Sequence, residues 1–191
     1  MINIPVGWEE TVNAAIYQAS CAAMRMEPDS DEACAFFRAS WPSDGNPAPP
    51  PGQDVCYYRL YNRDDPTVNA TFRQSSTTGM SFTETLPFVC QWIFYGPNAD
   101  RYSTFLRTAF FREVFEKVGD KEYPPPRTIL RLSNIVPIPF PSQPVHIPEP
   151  STDGWRNRSD LTILVNYTIV TDFVSDGVEF PPDIQVIHEK E

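Results

Sequence analysis

A change of hydrophobic period at one glycine–proline step limits the possible folds of this chain more than any other feature. Mostly apolar residues run through CQWIFY (90–95), stop at Gly96-Pro97, and return after Asp100 at the three- and four-residue spacing of a helix. This order predicts a strand, a sharp corner and a helix. Hydrolases present a nucleophile on such a corner, but this one reads Tyr-Gly-Pro-Asn and has no Ser or Cys at its tip. We expect it to fix geometry: Gly96 permits the tight turn, Pro97 presets φ, and Asp100 caps the helix.

Helical spacing predicts two principal helices, over residues 8–26 and 99–118. We expect the second to end at Gly119 in the left-handed conformation, shortly before three consecutive prolines. Phe111 and Phe115 fall on a flank of its apolar stripe. They widen the stripe beyond what one face of a sheet needs, so they are candidates for a contact with another subunit.

Strand-like patterns fill much of the remaining chain and predict an α+β fold, with an antiparallel sheet and helices beside it. Residues 81–95 read as a strand, and from 88 to 95 both of its faces are largely apolar, which is typical of a strand that is buried on both sides or joins an assembly interface. Residues 158–174 alternate apolar and half-polar positions, as an antiparallel strand with one partly wet face does. The other strand-like segments are 34–41, 55–62 with 69–77 as its expected partner, 128–140, and a short edge strand at 181–189.

The length of 191 residues fits a single domain over 1–191. The segment at about 42–54 is a proline-rich loop, because residues 43–54 contain four of the 21 prolines and proline cannot donate to a strand ladder. Its role stays open between a surface spacer and a docking arm. No apolar stretch approaches the ~20 residues that span a bilayer. The first residues also lack the basic and apolar regions of a signal peptide. We therefore expect no membrane association.

The sequence offers no constellation for catalysis, a cofactor or a metal. His146 lies in a proline-rich loop and His188 in a charged tail, and neither has a second ligand at metal spacing. Phosphate-binding and dinucleotide-binding glycine motifs are absent. The four cysteines form no C-x-x-C pair, so we expect reduced structural thiols. A net charge of −10 argues against tight DNA binding, which requires Lys and Arg at the phosphates.

Aromatic residues are the excess that remains: thirteen Phe, eight Tyr and four Trp in 191 residues. Aromatics beyond the needs of a small core are typical of protein interfaces. Two stretches carry a resemblance, QWIFYGPNADRYSTFLRTAFF (91–111) and IPEPSTDGWRNRSDLTILVNY (147–167). Their order resembles the neck and tail terminator (tail completion) proteins of tailed bacteriophages, over roughly residues 86–186.

The resemblance implies an antiparallel sheet with helices on one face, in a structural virion protein that is not an enzyme. It implies a homo-oligomeric ring, usually a hexamer, on the head-facing end of the tail tube, where it docks the tube to the head-completion or connector protein. Assembly would take place in the host cytoplasm. The resemblance also implies roles for the residues in its two stretches. Tyr95, Gly96, Pro97 and Asp100 would form a structural joint, and Trp155, Arg158 and Asp160 would anchor the start of the long strand.

Several alternatives stay open at this point. The chain could be another phage connector or tail component, such as a head-completion, tube or baseplate protein. From other classes, it could be a phage-encoded hydrolase or a secreted binding module held by two disulfides. In the terminator interpretation DNA passes through the ring without being held, and we expect part of the acidic surface to face its path.

Overall fold

A computed structural model of the chain describes residues 8–40, 52–62, 71–76, 79–139, 142–151 and 154–174. Most of the predicted proline-rich loop and the predicted edge strand at 181–189 lie outside these residues. The helices are α1 (Trp8–Met24), α2 (Asp31–Phe36), α3 (Ala99–Ala109) and α4 (Pro126–Leu132). The strands are β1 (Phe37–Ala39), β2 (Val55–Asn62), β3 (Thr71–Ser76), β4 (Gly79–Tyr95), β5 (Glu116–Val118), β6 (Lys121–Tyr123), β7 (Ile135–Pro137), β8 (Val145–His146), β9 (Glu149–Ser151), β10 (Gly154–Arg156) and β11 (Arg158–Val174).

Seven of the strands form one sheet with the order β1-β2-β4-β11-β7, in which β3 also pairs with β4 and β8 with β11. The two 17-residue strands pair antiparallel along their whole length, from Arg158 opposite Tyr95 to Val174 opposite Gly79. β1 runs parallel to β2, so the sheet is mixed at that edge. The remaining strands form two hairpins, β5–β6 and β9–β10. The predicted α+β class is confirmed.

The helices cover one face of the sheet. On that face β4 contributes alternate buried residues, as the strand period of two requires, and β11 does the same with the residues that the alternation predicted. These side chains form one core with the apolar stripe of α1 and with Leu106 of α3 and Leu130 of α4. The β4 and β11 residues of this core are Phe88, Cys90, Trp92, Phe94, Leu161, Ile163, Val165, Tyr167 and Ile169.

A buried hydrogen bond links α1 to the sheet. Trp92 is fully buried, and its Nε1 donates to Ser20 Oγ over 3.1 Å. Ser20 Oγ in turn donates to the carbonyl of Ile16 over 2.7 Å. Burying Trp92 satisfies its one polar group while it removes a large apolar surface from water.

The prediction of one helix over residues 99–118 is wrong, because α3 ends at Ala109. Phe110 then packs edge-on against Trp92, with 5.2 Å between ring centroids, and the chain turns away. Gly119, predicted to end the helix, instead lies with φ of 62° in the two-residue turn between β5 and β6. A Gly-Asp pair between two short runs is a hairpin signal, and it outweighs the continuing helical spacing.

Three further sequence predictions differ from the structure. Residues 128–140 were predicted as a strand, but Pro126 starts α4, at a position where proline suits a helix. Only Ile135–Pro137 pairs with β11. The segment after Ser30 begins with a helix, since Ser30 Oγ accepts the N–H of Ala33 over 3.1 Å. β3 pairs with β4, from which two residues separate it, and not with β2.

Candidate functional site

The corner between β4 and α3 is closed by close approach of two backbones. Gly96 has φ of 114°, and a Cβ added to it would lie 2.4 Å from Asp54 Oδ1 and 2.7 Å from the carbonyl oxygen of Gln53. The carbonyl of Gly96 accepts the N–H of Ala99 over 3.2 Å, and its own N–H donates to the carbonyl of Asn157. Both the conformation and the lack of space require glycine here.

Asp54 holds the start of α3, and no pattern in the sequence pointed to it. Its Oδ1 accepts the backbone N–H of Asn98 over 3.0 Å, and its Oδ2 accepts the Asn98 side-chain amide over 2.8 Å. Asn98 occupies the N-cap position without a capping bond from its own side chain. The prediction that Asp100 caps the helix is therefore wrong. Asp100 lies in the first turn, where its Oδ1 pairs with Nδ1 of His146 over 3.0 Å.

The first residues of β11 form a charged pair directly beside the corner. Arg158 donates to Asp160 through Nε and Nη2, each over 2.8 Å, which is the two-pronged geometry that arginine and carboxylate favour. These bonds raise the pKa of Arg158. Arg158 is the register partner of Tyr95, and its guanidinium carbon lies 5.9 Å from the centre of the Tyr95 ring. Its Nη1 also lies 3.6 Å from Oε1 of Glu149.

This pair continues as a polar chain across the face of the sheet that the helices do not cover. Gln91 Nε2 donates to Asp160 Oδ2 over 3.4 Å, and Gln91 Oε1 accepts from Arg59 Nε over 2.6 Å. Beside the chain, burial and, to a smaller extent, a hydrogen bond with Glu149 together raise the pKa of Tyr95 to about 12. The strands β2, β4 and β11 are thus cross-linked by side chains at their corner end.

A second link joins α3 to β11 inside the core. The hydroxyls of Ser103 and Ser159 lie 2.8 Å apart, and both residues are fully buried. Ser159 immediately follows Arg158, and successive residues of a strand point to opposite faces. The two residues therefore bind the corner from opposite faces of the sheet. Nothing in the sequence paired these serines, because 56 residues separate them.

Trp155 does not anchor the long strand, contrary to the expectation. It lies on β10, opposite Pro150 of β9, and 75% of its surface is exposed. The residues that do hold the start of β11 are Arg158, Ser159 and Asp160. Pro97 is exposed at the outside of the corner. The structure thus brings Tyr95, Gly96, Pro97, Asp100, Arg158 and Asp160 together at one end of the sheet and leaves Trp155 apart.

The corner, here called the joint, is built to hold shape. Its cations and carboxylates bind one another, and its two serine hydroxyls bind each other out of reach of solvent. Among the described residues, no group of three or more His, Cys, Asp or Glu is arranged to hold a metal ion. All four cysteines are free thiols, of which Cys34 is exposed. Within the same residues, no helix is long and apolar enough to cross a membrane.

The two candidate interface residues have different environments, and neither lies on a helix. Phe111 is partly buried and packs against Phe110, with ring centroids 6.1 Å apart. Phe115 is 60% exposed. It follows Glu113, whose carboxylate pairs with Arg127 and Arg131 of α4. We call the exposed apolar side chains of this region the helix-end surface; they are Val114, Phe115 and Leu132.

Comparison with known families gives one match. A family model described as phage neck terminator protein matches residues 10–191, which include the joint and the helix-end surface. This match confirms the resemblance drawn from the sequence. No curated protein matches the chain.

Proposed function

The chain belongs to the phage neck terminator protein family, and from this premise we propose that it forms a ring, a hexamer, that caps the tail tube and docks it to the head connector. Membership makes it a structural protein of the phage neck, located in the virion and in contact with other head or tail proteins. The match over residues 10–191 is the observation that carries the proposal. Ring assembly would precede virion completion in the host cytoplasm.

The architecture supports a subunit that keeps its shape under load. One core joins all four helices to the sheet, so we propose that residues 1–191 act as a single domain. At the joint, Asp54 holds the start of α3 with two hydrogen bonds from Asn98, and the Arg158–Asp160 pair braces the first residues of β11. The joint supplies geometry without a reactive group, which fits a protein with neither enzymatic activity nor a cofactor.

We place one ring contact at Phe115. A large aromatic side chain that is 60% exposed buries substantial apolar area when a neighbour covers it. Such residues are frequent hot spots, worth about 2 kcal/mol or more. Phe111, the other candidate, already packs against Phe110 and belongs more to the fold than to the contact.

The test is assembly of the purified protein, followed by electron microscopy and native mass spectrometry, alone and mixed with purified tail tubes. We expect closed rings, or rings that appear only at the tube end, and tubes of limited length. A protein that stays monomeric in both samples, and that is absent from the neck of purified virions, would contradict the proposal.

A matched set of variants tests the contact at Phe115. We expect Phe115→Ser to fold with an unchanged melting temperature and to lose rings or tail capping. Phe111→Ser should lower the melting temperature, because it removes a partly buried ring. Val170→Ser, which also shortens an exposed apolar side chain, is the control. Normal rings from Phe115→Ser would exclude this contact.

A further inference from the structure

A second group of exposed apolar side chains lies far from the helix-end surface. Val145 and Ile147 are exposed on and after β8, and Trp155 projects from the β9–β10 hairpin. We call these three residues the hairpin surface. Trp155 is the more exposed of the two aromatic side chains in these surfaces, at 75% against 60% for Phe115. Nothing in the joint uses it.

The two surfaces lie at opposite ends of the same sheet edge. The N–H of Ile147 donates to the carbonyl of Arg158 over 2.8 Å, at the beginning of β11. Ile135, three residues after Leu132, pairs with Tyr167 of the same strand. Arg158 and Tyr167 are nine residues apart along β11, about 30 Å at 3.4 Å per residue. Within one subunit, neither surface can cover the other.

Both surfaces are electrically balanced in a chain that carries −10 overall. Residues 111–132, around the helix-end surface, contain five basic and four acidic side chains, and the ion pairs of Glu116 with Arg25 and of Lys121 with Glu27 bring in one more of each sign. Residues 142–160, around the hairpin surface, contain two basic and three acidic ones. The excess negative charge therefore lies elsewhere. Two copies can therefore approach through these surfaces without repulsion from the excess negative charge. The small net charges of the two regions are also of opposite sign.

We propose that the hairpin surface of one subunit docks onto the helix-end surface of the next copy. A ring needs a heterologous contact, in which one patch meets a different patch on the neighbour, and the chain offers two such patches on one edge. Trp155 then packs near Phe115 and Leu132, and Glu149 comes toward the basic side of α4 at Arg131. This inference rests on the proposed ring, and it names the two faces that close it.

The experiment is thiol cross-linking in assembled particles. The background is Cys34→Ser, which removes the exposed native thiol and leaves Cys21, Cys56 and Cys90 buried. One copy carries Phe115→Cys and another Trp155→Cys, and the two are produced together during infection by phage that lacks its own copy. Purified particles are treated with a short bis-maleimide, and cross-linked species are separated by denaturing electrophoresis.

We expect dimers only when both variants are present, and none from either variant alone. Dimers from one variant alone would show a like-to-like contact and overturn the proposal. An absence of dimers from particles that contain both variants would also overturn it, while intact rings or necks in those particles leave the proposed function standing. If either variant fails to enter particles, Leu132→Cys with Ile147→Cys, which remove less apolar surface, decides by the same outcomes.

Discussion

At the scale of single residues, Gly96 shows how closely the backbones approach each other at the joint. Gly96 combines a φ of 114° with backbone atoms of Gln53 and Asp54 where a side chain would go. Gly154 has nearly the same φ, 119°, but nothing lies within 4 Å of the place its Cβ would take. A side chain at either glycine would strain the backbone, but only at Gly96 would it also clash with neighbouring atoms. Comparing the two positions therefore separates the free-energy cost of strain from that of the clash.

We expect Gly96→Ala to be more destabilising than Gly154→Ala. Both substitutions place a side chain at positive φ, which costs about 1–3 kcal/mol. Only Gly96→Ala also forces Asp54 and its strand away, which adds about 1–3 kcal/mol. Urea denaturation of the two variants and the parent measures the difference. Equal losses of unfolding free energy would show that the close approach at Asp54 relaxes freely.

Thiol reactivity should differ between the native and the unfolded chain. Burial raises the pKa of Cys21 to about 11 and raises that of Cys56 and Cys90 as well, and a buried thiol is also out of reach of reagent. At pH 8, titration of the native protein should find one reactive thiol, Cys34. Titration after denaturation without reductant should find all four. Fewer than four thiols after denaturation would reveal a disulfide, and none at all would match the secreted-module alternative with its two disulfides.

Sequence reasoning found the part of the joint that is local. Gly96 and Pro97 interrupt a period, and interruptions are visible in a sequence. Asp54 is not visible in this way, because it lies 44 residues before Asn98 and any surface Asp looks the same. Trp155 was misassigned for a related reason, since a tryptophan gives no sign of whether the fold covers it.

At the scale of elements, ion pairs with the residues that directly follow α1 hold the β5–β6 hairpin. Glu116 of β5 pairs with both Arg25 and Arg112, and Lys121 of β6 lies 3.4 Å from Glu27. Arg25 ends α1 in the left-handed region, with φ of 63°, a place that glycine usually fills. Its guanidinium lies 5.0 Å from the ring centre of Phe105, so its side chain makes contacts that a glycine at this position could not make.

We expect Glu116→Gln to lower the free energy of unfolding by about 1–2 kcal/mol, because it weakens a charge-assisted hydrogen bond from Arg25 and an ion pair with Arg112. It also leaves Arg25 and Arg112 adjacent without a carboxylate between them. Lys121→Ala breaks the pair between Lys121 and Glu27. Because both side chains of this pair are well exposed, we expect the free energy of unfolding to change by less than about 0.5 kcal/mol. Chemical denaturation measures both variants. A larger effect at Lys121 than at Glu116 would refute this account of the hairpin.

The elements that the sequence predicted well are those with long, uniform patterns. α1 and the 17-residue strands show sustained periods, and their buried faces match. The failures lie where two patterns overlap within a few residues. Val114 and Val118 continue the helical spacing of α3, yet both are exposed, because the Gly119 turn and the ion pairs of Glu113 and Glu116 govern that stretch. Spacing alone cannot rank a turn against a helix.

At the scale of the whole molecule, the negative charge is unevenly distributed. Residues 8–36, which contain α1 and α2, have six acidic side chains and one basic. Four of the acids, Glu27, Asp29, Asp31 and Glu32, are exposed around the turn that joins the two helices. α2 leads into β1, at the edge of the sheet opposite β7. Asp31 and Glu32, at the start of α2, therefore lie toward the edge opposite the one that we assign to ring contacts, whereas Glu27 reaches the β5–β6 hairpin through its pair with Lys121.

This separation leads to a prediction about DNA passage. If the β7 edge meets the neighbouring copies, the acidic turn is free to face the lumen of the ring. A repulsive wall lets a polyanion pass without being trapped. We expect the double substitution Asp31→Lys with Glu32→Lys to slow DNA release from purified particles at low salt. Release should return toward the parent rate at high salt, since the screening length falls from about 10 Å at 0.1 M to about 3 Å at 1 M.

The matched control is Glu9→Lys with Glu10→Lys, which makes the same charge change on two exposed residues in the first turn of α1, at the other end of that helix from the acidic turn. If both double variants assemble and only the first shows a salt-dependent delay, the acidic turn borders the DNA path. An equal delay in both would mean that net charge matters and its position does not. A structure of the assembled neck with a continuous Lys and Arg band along the lumen would contradict the prediction directly, because such a band binds phosphates and gains affinity as salt falls.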